Sequence, residues 1–382
     1  MAPRTPLVIV LAASVAVGWF LSGLLGLLPP LRSSAAVHRI SADDLGLALP
    51  PLNFSSPPST DAHRAYYGSS AAAAFCAAHG YAVFEPRSTS GERKIYDLFM
   101  VNSELDFLEI RLATLYEHVD YFVIVESPRT FQGRVRNLVI RDNWQRFARW
   151  HDKIIYHLLE FPAHFAPVRT WDYEDLQRDA TFAQVLPRLE GRQAPVTGDV
   201  LVVADVDEIP RPETLLLLRT CAFPRRLTLA SRFYYYSFQF LHVGAEWPHP
   251  QATFYEGPDS TLRPRDLRGA NGDGRWRRAR ESGTLGNAAW HCSSCFATVD
   301  QFLDKMASFS HMWMNEPRYR DRRRIADAVR AGRDVWGRTK DHFRRVDGNS
   351  DLPPVLATDE GRRRFGYMLS RDGESAGFTD FP

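Results

Sequence analysis

The first apolar pattern in the chain is an uncharged run over residues 7–28. A helix of this length extends about 33 Å at about 1.5 Å per residue, which is enough to cross a hydrocarbon core of about 30 Å. The alternative is a cleaved signal peptide, whose apolar core is usually about 7–15 residues long. The pattern therefore predicts a cytosolic tail at residues 1–6 and a transmembrane signal-anchor at residues 7–28.

Residues 29–93 follow this run, and their first half is rich in Pro, Ser and Ala without helical or strand periodicity. This composition predicts an extended stem. The stem carries a glycosylation sequon at Asn53, which has meaning only in the secretory lumen. A tail, an anchor, a stem and a lumenal globule form the layout of a resident secretory-pathway enzyme, and a plasma-membrane receptor can share it.

From residue 94 the pattern changes to short β-branched and aromatic runs, separated by leucines at helical spacing. The predicted strands are residues 94–101, 121–126, 154–158 and 199–204. The predicted helices between them are residues 105–115 and 172–189. Strands that alternate with helices at this pitch predict an α/β fold with a parallel, helix-covered sheet. We assign residues 94–382 to one domain, whose ligands are expected beyond the carboxyl ends of the strands.

The second half of this domain begins with a helix predicted at residues 213–219, followed by a long aromatic strand or strand pair over residues 227–240. Residues 256–287 are rich in Gly, Pro and Arg, which predicts a loop. Three further helices are predicted, at residues 300–309, 319–331 and 359–369.

Composition narrows the class of protein. Of 382 residues, 45% are hydrophobic and 12% aromatic, which excludes a disordered chain. Lys and Arg number 47 and Asp and Glu 45, and the resulting net charge of +2 argues against a nucleic-acid-binding protein. The four cysteines, Cys76, Cys221, Cys292 and Cys295, are too few for a disulfide-built scaffold, and their pairing is left open.

The sharpest chemical feature is an acidic turn that directly follows the apolar strand at residues 199–204. Asp205 and Asp207 lie two positions apart, so an extended backbone points both carboxylates to the same side. Two adjacent carboxylates need a cation, and oxygen ligands select Mg²⁺ or Mn²⁺. Such an ion takes its other ligands from water and substrate phosphates, which predicts a diphosphate substrate. A solvated acidic turn is the alternative, and the buried strand before the turn favours the metal site.

Other polar residues lie where predicted strands end. Asn102 and Glu104 follow the first strand and Glu126 ends the second, at positions that often hold a nucleotide in this class of sheet. His291 is a candidate ligand or phosphate partner, although a histidine beside a tryptophan is more often structural. No Gly-rich phosphate loop of standard spacing occurs, which argues against an ATPase or a Rossmann dehydrogenase.

Four segments of the domain carry most of this chemistry. They are DLFMVNSELDFLEIRL at residues 97–112, VDYFVIVESPRTFQG at residues 119–133, VADVDEIP at residues 203–210 and WHCSSCF at residues 290–296. Together, and in this order, they resemble glycosyltransferase family 17 over about residues 94–371. Val206 departs from the family pattern, which usually has an alanine at this position.

The resemblance implies a GT-A-like nucleotide-sugar fold in a type II Golgi membrane protein with a lumenal catalytic domain. It implies UDP-N-acetylglucosamine as the donor, and inverting transfer that forms a β1,4 link to a β-linked mannose of a glycoprotein N-glycan core. Asp205 and Asp207 match the family's metal and diphosphate motif, with Mn²⁺ or Mg²⁺ as the ion. The Arg- and Gly-rich loop at residues 256–287 is longer than in the family, which leaves the acceptor open.

Inverting transfer needs one base on the side of the sugar opposite the leaving group. The candidate catalytic bases are Glu208, Asp300 and Glu281. A retaining or different-sugar transferase and a metal-dependent phosphohydrolase are the enzymatic alternatives. Outside the enzymes, the chain could be a membrane-tethered carbohydrate-binding protein that stacks the tyrosines at residues 234–236 on sugars.

Overall fold

The computed structural model describes residues 70–85 and 93–381, together with the backbone of residues 37–39. Within these residues, no helix is both long enough and apolar enough to cross a membrane. The predicted tail, the predicted signal-anchor and the sequon at Asn53 lie outside the described residues, as does most of the predicted stem.

The strands of the described residues form an eleven-stranded main sheet and a small two-stranded sheet. In chain order they are β1 (Val37–Arg39), β2 (Ala82–Val83), β3 (Ile95–Met100), β4 (Tyr121–Glu126), β5 (Ile154–Leu158), β6 (Val200–Asp205), β7 (Glu208–Pro210), β8 (Cys221–Ala222), β9 (Arg226–Tyr235), β10 (Ser237–His242), β11 (Gln251–Phe254), β12 (Ser282–Ser293) and β13 (Phe343–Arg345).

The helices alternate with these strands in the first half of the domain and follow them in the second half. In chain order they are α1 (Ser70–Ala78), α2 (Leu105–Leu115), α3 (Val139–Asp142), α4 (Trp171–Ala180), α5 (Pro212–Thr220), α6 (Pro264–Arg268), α7 (Arg275–Arg280), α8 (Val299–Ser308), α9 (Arg322–Arg330), α10 (Pro354–Ala357) and α11 (Asp359–Arg364). Short 3₁₀ segments lie at Trp144–Trp150, Leu186–Arg188, Gly191–Gln193, Met312–Asn315, Pro317–Tyr319 and Gly366–Met368, and a π-helical turn lies at Thr181–Val185.

The main sheet has the strand order β5-β4-β3-β6-β11-β9-β12-β1, with β10 paired to β9 and β13, and β7 paired to β12. The four strands predicted from apolar runs, β3, β4, β5 and β6, are confirmed and are parallel. β11 lies antiparallel between β6 and β9, so the α/β class is confirmed but the sheet is mixed rather than parallel throughout. β11 has only four residues, alternately polar and apolar, and therefore lacks the apolar run that marks the other central strands.

The strand order reverses at β3. From β3 the chain passes through α2 to β4 on one side, whereas β6 lies on the other side of β3. A ligand crevice forms beyond the carboxyl ends of neighbouring strands at such a reversal. Met100 at the end of β3 is paired in register with Asp205 at the end of β6. The residues that follow these two positions therefore meet at one edge of the sheet.

Both faces of the sheet centre are buried against helical segments. Phe99 of β3 belongs to the cluster that includes Leu108 of α2 on one face. Leu98 belongs to a second cluster with Phe182 of the π-helical turn on the other face. Each fully buried side chain of this size contributes about 1.5–3 kcal/mol to folding. The two clusters hold the strand ends that form the ligand edge.

The prediction of a loop at residues 256–287 is wrong in part. The segment contains α6 and α7, and β12 begins inside it at Ser282. Asn287 has a left-handed φ of 53°, and the register of β12 against β9 shifts between Leu285 and Ala289. This irregularity and the glycines of β12 hide the strand from a pattern of alternating residues. The aromatic segment at residues 227–240 forms the predicted strand pair, as β9 and β10.

Residues 70–85 fall in the segment that the sequence assigns to the stem, and they pack on the globular domain. Phe75 and Cys76 of α1 are buried in the same cluster as β3 and α2. Cys76 forms a disulfide with Cys221 of β8, at a sequence separation of 145 residues. Cys292 and Cys295 form the second disulfide, at a separation of 3 residues. The open question of pairing is thus resolved as two intrachain bonds.

The bond between Cys76 and Cys221 is expected to be the more stabilising of the two disulfides. A cross-link restricts the unfolded chain more when it closes a longer loop, and a bond of this kind contributes about 2–4 kcal/mol. Replacing both cysteines with serine should lower the free energy of unfolding by that amount in chemical denaturation. The matched Cys292→Ser, Cys295→Ser variant should lose less, and an equal loss would contradict the loop-length argument.

Candidate functional site

A cavity of about 230 Å³ lies beyond the carboxyl ends of β3 and β6. Its lining contains both charged or polar side chains and aromatic rings. The polar lining includes Asn102, Glu104, Glu174, Asp205, Asp207, Glu208, His291, Lys305, Arg338 and Asp341. The aromatic lining includes Phe131, Phe233, Tyr235, Trp247, Phe296, Phe302, Phe309 and Trp336.

The acidic turn between β6 and β7 is held from the sheet side by Arg111 of α2. Its Nη1 donates to the carbonyl oxygens of Asp205 at 3.1 Å and Glu208 at 2.7 Å. Its Nε and Nη2 bind both carboxylate oxygens of Asp97 of β3, at 2.7 and 2.6 Å. Arg111 and Asp97 are 0% and 1% exposed, so this ion pair is fully buried. It fixes the backbone from which the carboxylates of the turn project.

Two arginines bind the carboxylate of Asp205. Its Oδ1 accepts from Nη1 of Arg178 at 3.0 Å, and its Oδ2 accepts from Nη2 of Arg268 at 2.6 Å. Burial alone would raise the pKa of Asp205, but the positive charges of Arg268 and Arg178 lower it below its ordinary value. Asp205 is therefore ionised and bound on both oxygens.

Asp207 differs from Asp205 in that its carboxylate accepts no hydrogen bond from the part of the chain that the structure describes. The Nζ of Lys305 is 3.8 Å from Oδ2, and Nδ1 of His291 is 3.8 Å from Oδ1. Burial raises the pKa of Asp207, and the charge of Lys305 opposes this shift. A buried carboxylate without hydrogen bonds is a site that favours an additional cation.

Glu104 places the amino group of Lys305 beside Asp207. Oε2 of Glu104 accepts from the backbone N–H groups of Asn102 at 3.1 Å and Ser103 at 2.9 Å, which fixes the turn after β3. Nζ of Lys305, on α8, donates to Oε1 at 3.2 Å. The Nδ2 of Asn102 donates to Oγ of Ser308 at 2.7 Å, which ties the same turn to α8. Asn102 and Glu104 therefore line the cavity and position Lys305.

Glu126 does not line the cavity. It is fully buried, and its oxygens accept from the N–H groups of Ile140 at 2.8 Å and Arg141 at 3.2 Å and from Oη of Tyr156 at 2.7 Å. These bonds satisfy the first N–H groups of α3. The strand-end position of Glu126 predicts contact with a nucleotide, whereas in the structure the carboxylate of Glu126 fixes the start of α3.

His291 lies in a cluster of aromatic rings. Its ring stacks on Trp247 at a centroid distance of 5.2 Å and on Phe233 at 4.9 Å. The carbonyl oxygen of Asp207 is 3.4 Å from its Nδ1. His291 thus contacts both the acidic turn and the aromatic rings, and it lines the cavity.

The structure brings only one of the three candidate bases to the cavity. Glu208 lines it, but both carboxylate oxygens are bound by Arg268, and Trp247 Nε1 donates to Oε1 at 2.8 Å. Asp300 is exposed at the start of α8 and is paired with Arg322. Glu281 follows α7, outside the cavity lining, and accepts from Nε of Arg277 at 3.0 Å. None of the three offers a free carboxylate inside the cavity.

The fit of the acidic turn to a metal ion rests on Asp207. The described residues contain no group of three or more His, Cys, Asp or Glu side chains that could hold a metal ion. Mg²⁺ and Mn²⁺ need only one or two protein carboxylates when substrate phosphates supply the other ligands. Asp207 meets that requirement, whereas both oxygens of Asp205 are already bound by arginine.

Three residues that contact the acidic turn are not predicted by the sequence analysis. Arg268 lies in the segment predicted as a loop, and Lys305 and Trp247 are distant in the chain from the turn that they contact. Local periodicity gives no signal for such long-range ion pairs. The sole sequence signal for Lys305 is that lysine is rare in this chain, in which basic residues are mostly arginine.

The cavity lies at the ligand edge of an open α/β sheet. Its ammonium group, on Lys305, can bind a phosphate oxygen, and its free carboxylate, on Asp207, can bind a cation that accompanies a diphosphate. Its aromatic rings can pack against a sugar. These are the parts of a glycosyltransferase site. The sequence model of glycosyltransferase family 17 matches residues 31–347, and the chain belongs to this family.

Three curated relatives are similar to part of the chain. Each is named β-1,4-mannosyl-glycoprotein 4-β-N-acetylglucosaminyltransferase, and they come from Homo sapiens, Rattus norvegicus and Mus musculus. The human and rat proteins are 30% identical and the mouse protein 29% identical over 132 residues, which is 33% of this chain. The matched stretch covers 23–24% of their own length. No solved structure matches this chain.

Proposed function

We propose that this glycosyltransferase moves N-acetylglucosamine from UDP-N-acetylglucosamine to a β-linked mannose of a glycoprotein N-glycan core, with inversion to a β1,4 link. The family and the names of the relatives support this donor and acceptor. The strand order, with its reversal at β3 and the antiparallel β11 between β6 and β9, supports a GT-A-like sheet. We further propose that the chain is a type II Golgi membrane protein, anchored by residues 7–28, with this domain in the lumen.

One observation carries the proposal: the free carboxylate of Asp207 and the amino group of Lys305 lie together at the ligand edge of the sheet, 3.8 Å apart. Lys305 is charged, because the carboxylates of Glu104 and Asp207 raise its pKa against the opposing effect of burial. An ammonium group beside a free carboxylate suits a diphosphate that brings its own divalent cation. In this proposal the carboxylate of Asp207 binds the cation and the ammonium group of Lys305 binds the diphosphate.

We propose that Asp207 holds the Mn²⁺ or Mg²⁺ and that Lys305 binds a phosphate oxygen of the donor. When bound, the ion neutralises the charge that develops on the departing UDP. Asp205 pairs with Arg178 and Arg268 and so helps to fix the acidic turn. Asp207 and Lys305 bind and orient the leaving group.

The aromatic rings of the cavity lining support sugar binding. Phe233, Trp247 and Trp336 present apolar ring surface to the cavity, on which a sugar can pack. In contrast, Tyr234 and Tyr236 are 1% and 0% exposed, and neither lines the cavity. The tyrosine run therefore does not offer the exposed stacking surface expected of a carbohydrate-binding protein.

The purified full-length protein is expected to consume UDP-N-acetylglucosamine only when an N-glycan acceptor and Mn²⁺ or Mg²⁺ are present. The measurement is product mass over a panel of UDP-sugars and glycans, with and without a chelator, and NMR of the new anomeric centre. Release of phosphate without an acceptor would instead indicate a phosphohydrolase. An α-anomer would indicate a retaining transferase, and glycan binding without donor consumption would indicate a binding protein.

A further inference from the structure

Six carboxylates line the cavity, and they fall into two groups. Four accept hydrogen bonds from an arginine or a lysine: Glu104, Glu174, Asp205 and Glu208. The other two, Asp207 and Asp341, accept none on their carboxylate oxygens from the residues that the structure describes. A carboxylate that takes a proton during catalysis needs a free oxygen within reach of its substrate. Only this second group meets that requirement.

Asp341 lies between α9 and β13, far in the chain from the acidic turn. The exposed fraction of its side chain is 26%, so it is open to a ligand in the cavity that it lines. Its Oδ2 is 3.1 Å from Nε of Arg338, and its Oδ1 is 4.0 Å from Nε2 of His242. Arg338 makes its shorter contact with Asp334, at 2.7 Å, so it holds Asp341 without occupying both oxygens.

Aromatic rings connect the surroundings of the two carboxylates. The ring of His242, beside Asp341, lies 5.3 Å from that of Phe233, which lies 4.9 Å from that of His291, beside Asp207. Asp207 and Asp341 therefore lie beside different rings of one aromatic cluster, and both line the same cavity. In an inverting displacement the base acts on the side of the sugar opposite the leaving group, so the base and the group that holds the diphosphate are different residues.

We propose that Asp341 is the general base of the transfer, which rests on the inverting glycosyl transfer proposed above. Asp341 takes the proton of the acceptor hydroxyl. The hydroxyl oxygen forms a bond to the anomeric carbon, and the bond from that carbon to the diphosphate oxygen breaks. The electron pair of the broken bond leaves with UDP, at the Asp207 and Lys305 end. The products are the glycosylated acceptor, UDP and a proton, initially on Asp341.

The test compares the Asp341→Asn variant with wild type, using UDP-N-acetylglucosamine and a trimannosyl N-glycan core. Loss of a general base lowers kcat by about 10²–10⁴-fold. The affinity for UDP, measured by calorimetry, and the melting temperature should stay as in wild type, because the change is isosteric. The Asp341→Glu variant retains a carboxylate and should keep more activity than Asp341→Asn. A loss of UDP binding in Asp341→Asn would overturn the assignment in favour of a structural role.

A thiol acceptor separates a base from a positioning residue. A thiol has a pKa of about 8.5 and is far more acidic than a sugar hydroxyl, so its reactive thiolate forms in solution without an enzymatic base. The analogue in which a thiol replaces the reacting hydroxyl should therefore react with Asp341→Asn at a rate within about threefold of wild type. If the variant is as slow with the thiol as with the hydroxyl, Asp341 is not the base.

Two further variants complete the experiment. Asp347, like Asp341, is paired with an arginine, at 2.7 Å from Nε of Arg345, but it does not line the cavity. The matched Asp347→Asn variant should keep wild-type kcat. Asp300→Asn tests the base candidate from the sequence, and a loss there with Asp341→Asn active would reassign the base. If wild type itself transfers sugar to no hydroxyl acceptor, the proposed function fails, which is distinct from failure of Asp341 alone.

Discussion

Replacing Asp207 with asparagine is expected to lower kcat of sugar transfer by about 10³-fold. A bound divalent ion supplies several kcal/mol of stabilisation to the charge developing in the transition state, and about 4 kcal/mol corresponds to about 10³-fold in rate. The amide cannot hold the ion, and Asp207 is the carboxylate of the turn with free oxygens. Transfer assays together with calorimetry of Mn²⁺ in the presence of UDP measure both consequences.

The same variant should melt no lower than wild type. Burial raises the pKa of Asp207, so the folded protein binds that proton more tightly than the unfolded chain does. At pH values above the folded pKa, the ionised carboxylate therefore costs stability, and a neutral amide removes this cost. Asp347→Asn, at an exposed carboxylate outside the cavity lining, is the matched control and should keep full activity. Full activity or unchanged Mn²⁺ binding in Asp207→Asn would refute the metal assignment.

Arg111→Met is expected to lower the free energy of unfolding by about 3–5 kcal/mol. Removal of one partner leaves the carboxylate of Asp97 buried without its counter-charge, and the loss of a buried partner costs about this much. The carbonyl oxygens of Asp205 and Glu208 also lose their donor, so the acidic turn loses its support. Chemical denaturation measures the stability, and transfer assays on the folded fraction measure the effect on the turn.

A surface pair gives the comparison for this variant. Arg188 pairs with Glu160 at 2.7 Å, and its side chain is 54% exposed. Exposed pairs contribute about 0–1 kcal/mol, so Arg188→Met should lose far less stability than Arg111→Met. Adding Asp97→Leu to Arg111→Met removes the stranded charge and should recover part of the loss. Equal losses for the two single variants would show that burial is not the cause.

The sequence predicts the strands of the sheet centre because each is an apolar run buried on both faces. The bounds predicted for β4 and β5 agree with the structure, and the acidic turn after β6 lies at the ligand edge as expected. The helix predicted at residues 172–189 is α4 followed by π-helical and 3₁₀ turns, and the latter contains Pro187, which lacks a backbone N–H.

The contacts within the cavity could not be predicted in the same way. Asp205 is bound by Arg268, and Asp207 lies beside Lys305, through side chains that are distant in sequence and carry no periodic signal. Glu126 follows the same strand-end rule as Asp205, yet its oxygens are used by the N–H groups of α3. Whether the carboxylate at the end of a strand can bind a ligand depends on the groups that pack beside it in the folded protein, and the sequence pattern does not show those groups.

The disulfide between Cys76 and Cys221 limits how many N-terminal residues can be removed from a recombinant fragment for crystallisation or enzyme assays. A fragment cut at residue 94, where the strand pattern begins, would discard α1 and leave a bare thiol on Cys221, which is 0% exposed. It would also expose the surface of α5 that α1 contacts. Recombinant fragments should therefore begin before Ser70, so that they keep α1 and its disulfide.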